Sequence, residues 1–110
     1  MSDCLFCKII RGEIPSRKVD EDENTYAFDD IAPRAPTHII VVPKRHVDRI
    51  ADASDPTSVG EVLLAAARIA RDRNLEHYRL VVNNGEEAGQ SVFHFHVHLL
   101  GGRPMSWPPG

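Results

Sequence analysis

The longest amphipathic stretch of the chain follows Asp55-Pro56 and predicts the main helix. Apolar residues recur there at the spacing of one helix face, at Val59, Val62, Leu63, Ala66, Ile69 and Ala70. Asp55 is suited to cap the helix, with Pro56 at its first position, and Asn74 is suited to end it in a left-handed conformation. We expect this helix to contribute packing rather than chemistry.

Shorter periodic segments predict one further helix and five strands. The pattern of residues 4–11 predicts a short amphipathic helix that ends at Gly12, with Pro15 just beyond it. Alternating or β-branched patterns predict strands at residues 17–19, 25–29, 37–42, 78–83 and 91–100, and polar residues 20–24 predict a turn. The connections are too short for parallel crossovers, so we expect an α+β fold with a mostly antiparallel five-stranded sheet.

Length and composition favour a soluble globular protein that forms a single domain over residues 1–110. Hydrophobic residues make up 42% of the 110 positions and charged residues 26%, and the net charge is -3. A negative charge argues against general binding to nucleic acid. The longest apolar run, residues 62–67, is far too short to span a membrane, and the N-terminus lacks a secretory pattern. We therefore expect a cytoplasmic location and no partner among membranes or nucleic acids.

Both cysteines of the chain lie in one C-x-x-C motif, Cys4 and Cys7. A disulfide over this spacing would close a very small loop and would stabilise little. Three interpretations remain open from the spacing alone: half of a metal site, a redox dithiol, or two small residues in a helical turn. The redox interpretation is the weakest, because a thioredoxin-like motif follows a strand and only three residues precede Cys4.

The most informative segment is the predicted last strand, where three of the six histidines occupy alternate positions. On a strand His94, His96 and His98 would share one face, with about 6.6 Å between neighbouring bases. The opposite face is apolar and suited to pack under the main helix. Histidine has no strong preference for strands, so a row of three indicates a functional surface rather than a structural one. From the pattern alone, a metal site that uses these histidines remains a rival to nucleophilic chemistry.

A glycine-containing loop precedes the histidine row. It runs from Asn84 to Ser91 and includes Gly85 and Gly89. Glycines allow backbone N–H groups to approach an anion closely, and the Ser91 hydroxyl is a further donor. Next to a row of imidazoles, this loop predicts a phosphate-binding site beside a nucleophile.

These features together resemble the histidine triad (HIT) superfamily of nucleotide hydrolases and transferases. The family pattern of alternating histidines and apolar residues is matched in full by His94 to Leu100. Other segments that resemble the family follow in order along the chain: Phe6-Cys7-Lys8-Ile9-Ile10, Ala35-Pro36-Thr37-His38, Val42-Pro43-Lys44-Arg45-His46, Val81-Val82-Asn83 and Gly89-Gln90-Ser91. Gly101-Gly102-Arg103 and the tail Trp107-Pro108-Pro109-Gly110 are similar to the Hint branch, the purine nucleoside phosphoramidases.

The resemblance implies a role for each matching residue of the reaction centre. His96 matches the nucleophile that attacks the α-phosphorus and forms a nucleotidyl-imidazole intermediate, a role that suits neutral imidazole at pH 7. His98 and His38 match side chains that hydrogen-bond phosphate oxygens or the surroundings of the nucleophile. Ser91 matches the hydroxyl beside the leaving amine. The matching positions of the phosphate pocket are Asn83, Gly89 and Gln90.

The resemblance also implies how the nucleoside would bind. Asp30 lies where the family has an acidic residue that binds both ribose hydroxyls. The apolar pocket for the purine is matched by Phe6, Ile9, Phe28 and Ile31, although ordinary core packing is an alternative for each of them. The expected reaction is hydrolysis of the P–N bond of purine nucleoside 5′-monophosphoramidates such as AMP-lysine.

For the C-x-x-C motif, the resemblance favours metal binding. Many bacterial members of the superfamily bind zinc through residues that match Cys4, Cys7, His46 and His94. Two thiolates and two imidazoles would form a closed tetrahedral site, hence a structural zinc. This assignment would leave His96 free to react, and no organic cofactor is expected.

The resemblance further implies a homodimer in which the main helix and an edge strand pair to continue the sheet across the interface. The tail around Trp107 would then reach the active site of the partner. Alternative functions are hydrolysis of dinucleoside polyphosphates, nucleotide binding with a regulatory role, and metal catalysis by the three histidines of the row.

Overall fold

The computed structural model describes residues 4–110, so the first three residues of the predicted domain lie outside it. Its helices and strands, in chain order, are α1 (Leu5–Ile10), β1 (Lys18–Glu21), β2 (Thr25–Asp29), β3 (Thr37–Pro43), α2 (Pro56–Asp72), β4 (Tyr78–Val81) and β5 (Val97–Gly101). Short 3₁₀ turns occupy Ile50–Asp52 and Glu86–Ala88. The extent of the domain, residues 1–110, stays a prediction.

The five strands form one antiparallel sheet in the order β1-β2-β3-β5-β4. This confirms the predicted α+β architecture with one main helix and one short helix. In the β3–β5 pairing, Ile40 lies opposite His98 and His38 lies opposite Leu100. His38 and His98 are therefore diagonal neighbours on one face of the sheet, close enough for their rings to meet.

Each face of the sheet carries its own apolar cluster. On one face α2 packs over residues of β2, β3 and β5, in a cluster formed by Ala27, Ile39, Val41, Val62, Ala65, Ala66, Ile69, Ala70, Phe95, Val97 and Leu99. On the other face α1 packs in a cluster formed by Phe6, Ile9, Tyr26, Phe28, Ile40 and Val42. The sheet thus separates the packing helix α2 from the face that carries the histidines.

The predicted boundaries of α2 are confirmed. The Asp55 carboxylate accepts the N–H of Thr57 at 3.0 Å, and Pro56 occupies the first helical position. Asn74 adopts a φ of 60° directly after the helix. The predicted core face is wrong at Leu63, which is 37% exposed, while Ala65 is buried instead.

Three predicted strand boundaries are wrong. The edge strand continues to Glu21 rather than turning after Val19, and the strand that starts at Tyr78 ends at Val81. The largest difference is in β5, which begins at Val97 instead of residue 91. The β3–β5 register would place Phe95 opposite Pro43, which has no N–H to donate, and the N–H of Phe95 donates to the Val47 carbonyl instead.

The alternation of side chains continues through residues 95–99 even though the strand is shorter. Phe95, Val97 and Leu99 all lie in the α2 cluster, as predicted for the apolar face. At the N-terminus, α1 begins at Leu5, and Cys4 is its N-cap rather than its first residue. In the part of the chain that the structure describes, no helix has the length and apolarity needed to cross a membrane.

Candidate functional site

A cavity of about 560 Å³ lies beside α1, on the face of the sheet that carries His38 and His98. It brings together residues that are far apart in the chain, from α1, β2, β3, β5 and the loop after β4. The predicted site residues that line it are Phe6, Ile9, Phe28, Asp30, Ile31, His38, Asn83, Gly89, Ser91, His96 and His98. Gln90 is the one predicted catalytic or substrate-binding residue that does not line it.

His96 is held in one tautomer by the backbone of its own segment. Its Nδ1 lies 2.8 Å from the carbonyl oxygen of His94, so Nδ1–H donates to that oxygen. The proton of the neutral ring is therefore on Nδ1, and Nε2 carries a free lone pair. Burial lowers the pKa of His96, which keeps the ring neutral at pH 7. A neutral imidazole with its lone pair on a fixed nitrogen is a competent nucleophile.

A chain of hydrogen bonds fixes the tautomers of His38 and His98. The N–H of Arg34 donates to His38 Nδ1 at 3.0 Å, so the proton of the neutral His38 ring is on Nε2. His38 Nε2–H donates to His98 Nδ1 at 2.9 Å. The proton of His98 is therefore on its other nitrogen, Nε2. Burial lowers the pKa of His38, and it lowers the pKa of His98 to about 4.

Asp30 lies beside the hydrogen bond between His38 and His98. Its Oδ2 is 3.3 Å from His38 Nε2, and its Oδ1 accepts the N–H of Ala32 at 2.8 Å. The negative charge opposes the effect of burial on the pKa of His38. The carboxylate keeps acceptor capacity at the cavity wall, where it is able to bind hydroxyl groups.

The loop after β4 closes the polar end of the cavity. Gly85 and Gly89 have φ angles of 97° and 103°, which L-residues with side chains rarely adopt. A Cβ atom at Gly89 would lie 3.5 Å from the Asn83 amide nitrogen, so the side chain of Asn83 lies directly against this turn. Ser91 lines the cavity at the end of the loop.

Gln90 braces this loop from inside the protein. Its Nε2 donates to the carbonyls of Asp48 and Val92 at 2.7 and 3.1 Å, and its Oε1 accepts the N–H of Gly85 at 2.8 Å. Only 2% of the residue is exposed. Gln90 therefore shapes the backbone of the predicted phosphate pocket, and its amide lies away from the cavity.

The apolar end of the cavity is built around Phe6 and Phe28. Their rings meet edge to face with centroids 5.3 Å apart, and Phe6 also meets the His96 ring at 5.1 Å. Ile31 lies at the rim and is 99% exposed, so it is available to cover a flat ligand. Sequence reasoning missed several apolar residues of the lining, among them Ile14 and Val92.

Arg34 was also missed. It lines the cavity, and its backbone N–H orients His38. The sequence shows a proline-bounded loop at this point, but it does not show which backbone N–H contacts an imidazole.

A second cluster joins α1 to the segment before β5. Four donor atoms converge, the thiols of Cys4 and Cys7 and the Nδ1 atoms of His46 and His94. His94 Nδ1 lies 3.4 and 3.5 Å from the two sulfurs, and His46 Nδ1 lies 3.4 Å from the Cys7 sulfur. The cysteines are free thiols rather than a disulfide.

The tautomers of this cluster suit a bound cation. His94 Nε2–H donates to the Pro43 carbonyl at 2.8 Å, and His46 Nε2–H donates to the Asp48 carboxylate at 2.6 Å. Both Nδ1 lone pairs therefore face each other at 3.1 Å, which is repulsive unless a cation lies between them. Tetrahedral zinc separates nitrogen and sulfur ligands by roughly 3.3–3.8 Å, close to the observed spacing. Burial lowers the pKa of His94 to about 4, so the ring is neutral, as a ligand must be.

The three histidines of the row do not converge on one metal. His94 belongs to the cysteine cluster, His98 lies with His38 and Asp30, and His96 belongs to neither group. In the second group, His38 uses its Nε2 proton for donation and has no lone pair to offer a metal there. This geometry argues against the interpretation of the row as a single catalytic metal site.

The chain is similar to known proteins over nearly its whole length. The HIT domain family model matches residues 11–105. An uncharacterised HIT-like protein of Synechocystis sp. is 48% identical over 111 residues, covering 98% of this chain and 97% of the relative. A protein of Zea mays named "14 kDa zinc-binding protein" is also 48% identical, covering 99% of this chain and 89% of its own length.

Solved structures show the same similarity. A HIT family hydrolase from Legionella pneumophila superposes with a TM-score of 0.95 and 48% identity, covering 98% of this chain and 100% of the other. A histidine triad protein from Clostridium difficile has a TM-score of 0.92 and 41% identity, covering 96% of each chain.

Proposed function

The chain belongs to the HIT domain family, and from that premise we propose that it hydrolyses the P–N bond of purine nucleoside 5′-monophosphoramidates. The observation that carries the proposal is the fixed tautomer of His96. This residue lines the cavity, and its Nε2 atom has a free lone pair. The similarity to a solved HIT family hydrolase supports hydrolysis as the reaction type.

The reaction has two displacement steps at phosphorus. In the first, His96 Nε2 attacks the phosphorus and the P–N bond breaks, while the Ser91 hydroxyl passes its proton to the leaving amine. In the second, water attacks the phosphorus and the bond to His96 breaks, which returns a neutral imidazole. One proton of the water restores the Ser91 hydroxyl. The oxygen of the water and its second hydrogen stay on the phosphorus of the nucleotide product. Dividing the reaction in this way replaces one difficult step with two easier ones.

Fixed donors stabilise the charge that develops on the phosphoryl oxygens. His98 carries its proton on Nε2, because its Nδ1 accepts from His38. The expected backbone donors of the glycine loop are not available, because the Gly85 N–H donates to Gln90 Oε1 and the Gly89 N–H donates to the Glu86 carbonyl. Asn83 and Ser91 add polar side chains at the same end of the cavity. Preset donors of this kind supply the largest single contribution in many enzymes.

The nucleoside occupies the opposite end of the cavity in this proposal. The purine lies against Phe6, Ile9 and Phe28, and Ile31 covers it from the rim. Asp30 accepts hydrogen bonds from the ribose hydroxyls with the acceptor capacity that remains beside its contacts to Ala32 and His38. Adenine and guanine both fit an apolar pocket of this kind.

We also propose that Cys4, Cys7, His46 and His94 hold zinc, as the name of the maize relative supports. A closed set of two thiolates and two imidazoles makes such an ion structural, because it leaves no open position for substrate. The bound ion would join α1 to the segment that carries His96. No organic cofactor takes part in the proposed reaction.

A homodimer completes the proposal. Strand β4 is an edge of the sheet, and exposed apolar side chains lie on it and on α2, including Tyr78 at 39% and Leu64 at 72% exposure. Pairing of these elements would continue the sheet across two copies, with the 81% exposed Trp107 near the partner. Light scattering should give twice the 12.3 kDa chain mass, and a value of 12.3 kDa would contradict the dimer.

The free thiols are typical of a reducing compartment, in line with a cytoplasmic location.

Steady-state kinetics test the proposed substrate class. We expect a higher kcat/KM for an adenosine 5′-monophosphoramidate of lysine than for a diadenosine polyphosphate. Higher efficiency on the polyphosphate would favour the alternative hydrolase instead. Binding of purine nucleotides without turnover of either substrate would favour a regulatory role, the other alternative.

A further inference from the structure

The segment after β5 lies against the loop that precedes His38. Gly102 has a φ of 92°, and a Cβ atom there would lie 2.9 Å from the Pro36 Cβ. The glycine therefore permits a close approach that no other residue would allow without displacement. The following residue, Arg103, donates from Nε to the carbonyl oxygen of Arg34 at 2.9 Å.

Arg103 is exposed and does not line the cavity. The residue that it contacts, Arg34, does line the cavity and forms hydrogen bonds with both its carbonyl and its N–H group. Arg34 accepts from Arg103 with its carbonyl and donates to His38 Nδ1 with its N–H. The guanidinium also donates to the Pro104 carbonyl at 3.0 Å, which fixes its own direction. The Arg103 guanidinium thus forms two hydrogen bonds, and one of them holds the residue whose N–H contacts His38.

The Arg34 N–H helps to determine which ring donates in the hydrogen bond between His38 and His98. Neutral histidine exists as two tautomers, and the one with the proton on Nε2 is favoured when Nδ1 accepts a hydrogen bond. If the Arg34 backbone moves away, only the Asp30 carboxylate, whose Oδ2 lies 3.3 Å from Nε2, still favours the proton on Nε2. His38 then gains access to the tautomer with its proton on Nδ1. Its Nε2 lone pair would then face the lone pair on His98 Nδ1 at 2.9 Å, and His98 would have to move its own proton to restore the bond.

We propose that Arg103 is a positioning residue, which holds the Arg34 backbone and thereby fixes the tautomer of His38. Through His38 it keeps the proton of His98 on Nε2, where that proton is available to the cavity. The proposal concerns the tautomers and stands apart from the identity of the substrate. Only its kinetic consequence rests on the proposed function.

The test is long-range ¹H–¹⁵N NMR of the imidazole nitrogens in the intact protein near pH 7. Wild type should show His38 protonated at Nε2 with a hydrogen-bonded Nδ1. Arg103→Met should move both ¹⁵N shifts of His38 toward the average of the two tautomers, and Arg103→Lys, which keeps one donor, should restore part of the difference. Arg73→Met removes an exposed arginine just after α2 and serves as the matched control.

Kinetics of the same variants distinguish positioning from general stability. We expect Arg103→Met to lower kcat on a phosphoramidate about tenfold with little change in KM, because donor orientation rather than nucleoside contact is lost. Unchanged ¹⁵N shifts of His38 in Arg103→Met would overturn the proposal. Shifted signals with a wild-type kcat would overturn its catalytic part. A wild type that hydrolyses no phosphoramidate would contradict the proposed function alone, since the NMR result would still decide the role of Arg103.

Discussion

At the scale of residues, backbone groups decide which imidazole nitrogen carries the proton. The carbonyl of His94 directs the Nδ1 proton of His96, and the N–H of Arg34 directs the proton of His38 to Nε2. The same type of contact orients His94 through the Pro43 carbonyl. Each ring is neutral and has a fixed tautomer, so the histidines of one short segment present different ring nitrogens as free acceptors.

Ser91 offers a test of proton transfer to the leaving group. We expect Ser91→Ala to lower kcat about 100-fold for a substrate with an alkylamine leaving group, because this amine needs a proton as the P–N bond breaks. The loss should be much smaller for a substrate with an arylamine, which is a better leaving group. The ratio of kcat values for the two substrates measures this, and an equal loss on both would contradict the role of Ser91.

The side chains that form the cavity were largely predictable from the sequence, whereas their hydrogen-bond partners were not. The alternation of histidines and the glycine loop pointed to His96, His98 and Ser91, and the resemblance to the HIT superfamily supplied the other predicted residues of the cavity. The sequence could not show that Gln90 bonds only to backbone groups inside the protein, or that Arg34 supplies an N–H to His38. Such contacts depend on where loops meet in space, and side-chain patterns carry no record of them.

At the scale of elements, α1 is too short to be stable by itself. It has six residues, and isolated helices shorter than about 12 residues are marginal in water. Two sets of contacts hold it in place: burial of Phe6 and Ile9 against the sheet, and the cluster of Cys4 and Cys7 with two histidines. Because α1 also lines the cavity, the cluster of cysteines and histidines and the cavity share one element.

Removing one thiol tests this connection. We expect Cys4→Ser to lose the zinc that elemental analysis should find in the wild type, to lower the Tm, and to raise KM for the nucleotide because α1 carries Phe6. Ser2→Ala serves as the matched control near the same end of the chain. Full zinc content in Cys4→Ser, or zinc loss with an unchanged KM, would contradict the shared role of α1.

Helix boundaries were easier to predict than strand boundaries. The ends of α2 are marked by local chemistry, with a capping carboxylate at Asp55 and a left-handed residue at Asn74. The start of β5 is determined instead by its neighbour, since the register reaches Pro43, which cannot donate to the ladder. A strand depends on a partner distant in sequence, and this explains why the last strand was predicted to begin too early.

At the scale of the whole molecule, the sheet separates the face covered by α2 from the face that carries the cavity. One face is covered by α2 in an apolar cluster, and the other carries His38 and His98 beneath the cavity. The antiparallel α+β architecture followed from the short connections in the sequence. The order of the strands, which inserts β5 between β3 and β4, could not be read from the sequence alone, because it reflects long-range pairing.

The buried histidines should also make the stability of the protein depend on pH. The pKa of His98 is about 4 in the folded protein, against an ordinary value of about 6.5 in the unfolded chain. Between these two values the unfolded state binds more protons, so the free energy of unfolding falls as the pH is lowered from 7 towards 4. Urea titrations at pH 7 and pH 5 measure this difference. His98→Gln should show a smaller decrease, and an equal decrease in both proteins would contradict the assignment.

The central claim is that His96 forms a transient covalent bond to phosphorus. Intact mass spectrometry of reactions quenched with denaturant at alkaline pH tests it most directly, because a phosphorus–imidazole bond is labile in acid. After brief incubation with an adenosine phosphoramidate, the protein mass should increase by one adenylyl group and return to its original value as the product forms. His96→Ala should show neither the adduct nor measurable turnover. Turnover by His96→Ala at the wild-type rate would contradict the account.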